Sequence, residues 1–60
     1  MHLTLSSEDS ARWEEGGWSA FRVEETVVEW AIQQDVQEPI IVHADDGSIA
    51  FAVSTGEGSL

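Results

Sequence analysis

Leu3 and Leu5 fall on one face of the alternating stretch His2 to Leu5, which predicts a short strand. Ser6-Ser7-Glu8-Asp9 then has the chemistry of a helix start: a serine to cap free N–H groups, and carboxylates in the first turn where the macrodipole favours them. Gly16-Gly17 stops that helix at about Glu15. A helix this short does not persist alone. Trp13 or Ala11 must pack down to hold it, and irregular structure is the alternative.

The segment after the glycines carries the strongest periodicity. At helical spacing Ala20, Phe21, Val23, Val27, Val28, Trp30, Ala31 and Ile32 fall within one broad arc, and Arg22, Glu25, Thr26, Glu29 and Gln33 fill the remainder. This predicts a long helix from about Ala20 to Val36, capped by Ser19, with Trp18 and Val23 placed as a hydrophobic staple. A strand over Trp18 to Val23 is the alternative. Trp30 lies on the apolar arc and is expected in the core, whereas Trp13 and Trp18 flank the diglycine as either a lid on the core or exposed anchors.

Glu38-Pro39 marks the end of the helical pattern, because proline disfavours the helical region for the residue before it. Two apolar runs follow, Ile40 to Ala44 and Ser48 to Val53, joined through Asp46-Gly47, and predict a hairpin with a type I′ turn. That turn sets Ala44 opposite Ile49, Val42 opposite Phe51 and Ile40 opposite Val53, a wholly apolar face. The other face pairs His43 with Ala50 and Ile41 with Ala52. Residues 54–60 read as a frayed tail. The expected architecture is α+β, a small single domain spanning 1–60. Its three-stranded, mainly antiparallel sheet carries one long helix on one face, in the order β-α-α-β-β with a short N-terminal helix or β-α-β-β without it.

Length and charge narrow what such a domain does. Sixty residues hold twelve carboxylates, two arginines and no lysine, a formal net charge of −10. A globule of this mass exposes roughly 3,900 Å², about one carboxylate per 320 Å². Such a surface repels nucleic acid and anionic membrane alike. There is no cysteine, so no disulfide or thiolate-bound zinc staples the fold, and two histidines alone do not build a structural metal site. A monomer or small homo-oligomer without cofactor is expected. With no signal-peptide pattern and no apolar run long enough to span a bilayer, the expected compartment is the cytoplasm.

Candidate chemistry is sparse. His43, Asp45 and Asp46 form a ligand-like cluster, but Asp45-Asp46-Gly47 is also turn chemistry. No glycine-flanked serine resembles a nucleophile elbow, and one helix on one sheet leaves little volume for a ligand pocket. An enzyme is not expected. The carboxylates remain: Glu8-Asp9, Glu14-Glu15, Glu24-Glu25 with Glu29, and Asp45-Asp46 come in pairs, with Asp35, Glu38 and Glu57 beside them. Glu25 and Glu29 lie one helical turn apart, where like charges cost stability. Rows of acceptors at such spacing imitate phosphates, so these paired carboxylates are the expected partner-binding residues.

In size, charge and α+β organisation the whole chain resembles small acidic anti-CRISPR proteins of phages, those that inhibit type I surveillance complexes by mimicking DNA. The resemblance implies a block of target-DNA binding at the channel that reads the protospacer-adjacent motif. The implied partner is a basic DNA-binding complex rather than nucleic acid or membrane. Two alternatives stand beside it. The helix followed by Glu38-Pro39-Ile40-Ile41-Val42, Asp46-Gly47 and Ile49-Ala50-Phe51-Ala52-Val53 is similar to the helix-hairpin part of Phd-like antitoxins, although their basic DNA-binding region has only Arg12 and Arg22 to match it. A halophilic adaptor domain would carry the same acidic, lysine-free surface as an adaptation to salt.

Overall fold

The computed structural model describes residues 1–54, in the order β1 (His2–Thr4), α1 (Ser7–Glu15), α2 (Gly17–Gln33), β2 (Ile40–His43) and β3 (Ile49–Val53). The architecture is α+β, with two helices and a three-stranded mixed sheet ordered β1-β2-β3. The tail expected to fray falls, apart from exposed Ser54, outside the described residues.

The short N-terminal helix forms. The Ser6 hydroxyl accepts a hydrogen bond from the Asp9 amide at 3.1 Å and the Ser6 carbonyl accepts from Ser10 at 2.8 Å, so one residue caps the helix with both its oxygens. Arg12 reaches back one turn to Glu8 at 2.8 Å and Asp9 at 3.1 Å. At the other end Gly16 has φ 81° and ψ −169°, a conformation open to glycine alone, and its amide closes α1 on Arg12 and Trp13.

Two expectations about the long helix need correction. It begins at Gly17 and ends at Gln33, rather than running from Ala20 to Val36, so Ser19 lies inside it and caps nothing. The diglycine therefore acts as a corner between two helices, and Trp18 is 69% exposed on the first turn instead of stapling Val23. The C-terminus closes before the proline in a Schellman arrangement: Val36 donates to the Ala31 carbonyl at 3.0 Å and Asp35 to that of Ile32 at 3.1 Å. Asp35 holds the left-handed position at φ 56°, where glycine is usual.

The sheet is mixed rather than mainly antiparallel, because β1 runs parallel to β2, with Leu3 opposite Val42. Both helices lie in the connection between these strands, long enough for the crossover that parallel pairing needs. β2 and β3 pair antiparallel, and Ile40 opposite Val53, Ile41 opposite Ala52 and Val42 opposite Phe51 match the expected register. Nearer the turn the register shifts: His43 faces Ile49 and Ala50 becomes the extra residue of a bulge. The type I′ turn is corrected for the same reason. Asp46 does not take positive φ; Gly47 does, at 94°, and the Gly47 amide bonds to the Ala44 carbonyl at 3.0 Å. A tighter-wound turn followed by a left-handed glycine generates such a bulge. Ile49 consequently leaves the apolar face and is 68% exposed.

The core consists of Leu5, Val23, Ala31, Ile40, Val42 and Val53, with Leu3, Trp13, Val27, Val28, Val36 and Phe51 packed around it. The Trp13 and Phe51 rings meet at a tilt of 35° with centroids 4.6 Å apart, which holds α1 to the sheet. Trp30 is not the expected core residue: it is 36% exposed, since α2 buries a narrow stripe centred on Val23 and Ala31 rather than the whole apolar arc.

Candidate functional site

Ser10 positions the hairpin turn against α1. Its hydroxyl, on a side chain 5% exposed, accepts the Asp45 amide at 2.8 Å. The acidic turn is thereby fixed beside a helix that itself carries Glu8, Asp9, Glu14 and Glu15. No sequence motif announces this contact, because the two residues are thirty-five apart.

The carboxylates divide into compensated and uncompensated groups. Glu8 and Asp9 share the Arg12 guanidinium, and Glu25 lies 3.7 Å from Arg22. Both arginines of the chain are used in these contacts. Glu38 lies 3.4 Å from the Met1 ammonium, and Glu14, Glu15, Glu24, Glu29, Asp35, Asp45 and Asp46 are exposed and make no ion pair among the described residues. Glu57 lies outside the described residues. Asp46 is held in the turn, its carboxylate accepting the Ser48 amide at 2.9 Å and the Ser48 hydroxyl at 2.7 Å. Those donors hold its carboxyl below the ordinary value of 3.8.

On α2, Trp18, Phe21, Glu25 and Ile32 are exposed and share one face at helical spacing. Trp18 stacks on Phe21 with centroids 5.2 Å apart and the Arg22 guanidinium sits 6.0 Å from the Trp18 ring. Ile32 is 66% exposed at the other end. This aromatic and acidic stripe borders a surface cleft of about 360 Å³ between the helices, lined by Asp9, Arg12, Trp18, Ser19, Arg22, Val23 and Thr26. One helix on one sheet leaves little room for such a cleft; a pair of helices meeting at a glycine corner makes one.

The cluster considered for metal binding does not assemble as the spacing suggests. The His43 ring turns to the Gly47 carbonyl at 3.1 Å and to His2 at 2.8 Å, while the Asp45 amide is bonded to Ser10. Among the described residues no three metal-ligating side chains converge, and no helix is long and apolar enough to cross a membrane.

The fold and this surface define a small acidic α+β domain with exposed carboxylates on α1, α2 and the hairpin turn and exposed aromatic rings on α2. The chain matches no family model, no curated protein and no solved structure.

Proposed function

We propose that this protein is an acidic inhibitor that imitates nucleic acid and occupies the positively charged channel of a DNA-recognition complex, a type I CRISPR surveillance complex being the class its size and charge suit. The observation that carries this reading is the uncompensated charge. Both arginines are tied to Glu8, Asp9 and Glu25, so Glu14, Glu15, Glu24, Glu29, Asp45 and Asp46 present negative charge with no ion pair among the described residues. A basic groove supplies the missing counter-charge, and long-range attraction speeds the encounter.

The test adds increasing protein to a purified type I surveillance complex and follows its binding of target DNA by fluorescence anisotropy. Inhibition is expected at stoichiometric protein and should weaken steeply with salt, as displacement of phosphate contacts does. Glu14→Lys with Glu15→Lys, and separately Glu24→Lys with Glu29→Lys, should each lower inhibitory potency by about tenfold or more while leaving the far-UV spectrum unchanged. Undiminished DNA binding at saturating protein would sink the proposal; full potency in both variants would show that the charges are incidental.

A further inference from the structure

None of the three strands contains a carboxylate, and no residue between Asp46 and Glu57 is charged. The order β1-β2-β3 leaves β3 at an edge of the sheet. Charged side chains and proline are devices by which natural proteins keep an edge from pairing, and Ile49-Ala50-Phe51-Ala52-Val53 has neither. The other edge, β1, is protected by its length of three residues. The bulge at Ala50 lies at the turn end of β3 and leaves Phe51 to Val53 in regular register with β2.

Alternation along β2 shows which backbone groups of β3 are free. The Ile41 amide donates to the Met1 carbonyl at 2.8 Å, and the His43 carbonyl accepts from the Leu5 amide at 2.8 Å, so both residues turn their backbone groups towards β1. Ile40 and Val42 therefore turn theirs towards Val53 and Phe51. Ala52 stands opposite Ile41 in a pair without hydrogen bonds, which directs its N–H and C=O out of the sheet. Its exposed methyl group leaves room for another strand.

We infer that this edge pairs with the same edge of a second copy, antiparallel about a two-fold axis at Ala52, into one six-stranded sheet. In that register the two Ala52 residues exchange both hydrogen bonds, and half-buried Phe51 stands opposite Val53 of the second copy. The edge has no charge to offer a basic partner. It is self-complementary, and antiparallel pairing of like edges satisfies both at once, so association closes at two chains. One pair of short strands covers much less than the roughly 800 Å² per partner of a standard interface, so the dimer is weak and fills at high protein concentration.

Charge sets the sign of the salt dependence. Two chains of −10 repel each other, and salt screens repulsion between exposed charges. Pairing therefore tightens as salt rises, whereas capture in a basic groove loosens. The inference stands apart from the inhibitor reading, and either can fail alone.

The test is sedimentation equilibrium of the full chain over about 10 μM to 1 mM protein, in roughly 50 mM and 1 M salt. A monomer–dimer equilibrium is expected, with a smaller dissociation constant at high salt. Ala52→Pro removes an amide that the single sheet does not use, and Ala52→Lys sets like charges opposite each other at the axis. Each should weaken dimerisation by about tenfold or more. In the wild-type protein, exchange of the Ala52 amide hydrogen should slow as protein concentration rises, and this measurement decides the matter if Ala52→Pro unfolds. A monomer at every concentration in high salt would overturn the inference, as would a dimer that salt dissociates. A dimer that keeps its affinity in both variants, or that leaves Ala52 exchange unchanged, is built on another surface and overturns it too.

Discussion

Asp35→Gly is expected to stabilise the fold, although it removes a side chain that makes a hydrogen bond. Asp35 occupies φ 56° at the end of α2, where its amide and that of Val36 satisfy the carbonyls of Ile32 and Ala31. A left-handed backbone costs an L-residue roughly 1–2 kcal/mol, and aspartate falls toward the lower figure because its side chain bonds locally. Here that bond runs from Gln37 Nε2 to Asp35 Oδ1 at 2.7 Å. Glycine removes the steric cost and also a negative charge from the negative end of the helix dipole, a gain of about 0.3–1 kcal/mol. Against this stand about 0.5–1 kcal/mol of extra unfolded-state entropy and about 0.5 kcal/mol for the exposed hydrogen bond. The balance is a gain of about 0.5 kcal/mol, or roughly 4 °C in Tm for so small a domain.

Urea denaturation of three variants separates the contributions. Asp35→Asn keeps left-handed tolerance and removes the charge, so it should be more stable than wild type by about 0.3–1 kcal/mol. Asp35→Ala removes the charge and the local hydrogen bond but leaves the steric cost, and should be less stable than Asp35→Gly by about 1 kcal/mol. The reasoning fails if Asp35→Gly unfolds at a lower urea midpoint than wild type, or if the alanine and glycine variants are equally stable.

Two further outcomes follow from single contacts. Ser10→Ala removes the acceptor of the Asp45 amide and leaves that partly buried N–H unpaired, which should cost about 1–2 kcal/mol and accelerate exchange of the Asp45 amide hydrogen; unchanged exchange would mean that the turn is held without α1. Asp46 has a folded-state pKa lowered by the Ser48 amide and hydroxyl, so its contribution to stability is present above the ordinary value of 3.8 and is lost as pH falls below it through the lower folded value. A carboxyl titration followed by NMR should place the Asp46 midpoint below 3.8, with Ser48→Ala moving it part of the way back; a midpoint at or above 3.8 contradicts the assignment.

What was legible in the sequence was local. The Ser6 cap, the acidic first turn and the stop at Gly16 are each written within a few residues, and α1 follows them. The two apolar runs containing Ile40 to Val42 and Phe51 to Val53, with the turn between them, likewise match three cross-strand pairs. The failures came where one local signal had two structural outcomes. A diglycine ends a helix whether or not another begins at its second residue, and Asp46-Gly47 suits both a two-residue turn and a type I turn with a left-handed glycine. The direction of β1 depends on how α1 and α2 meet at Gly16 and Gly17, which no hydrophobic period specifies. The acidic residues were legible as surface, but Ser10 with Asp45 and His2 with His43 meet only after the chain has folded.

The size of the domain explains why its outer surface is both apolar and acidic. Two helices cover one face of a three-stranded sheet, and α2 buries Val23 and Ala31 while the opposite side of the same helix keeps Trp18, Phe21 and Ile32 in solvent beside Glu25 and Glu29. Charge alone attracts any basic groove and releases it as salt rises. Stacked aromatic rings add contact area that salt does not screen, and tryptophan is enriched where binding energy concentrates at interfaces. Against the basic groove proposed above, Trp18 over Phe21 would therefore add contact that salt does not weaken, which carboxylates spread evenly over a small globule could not provide.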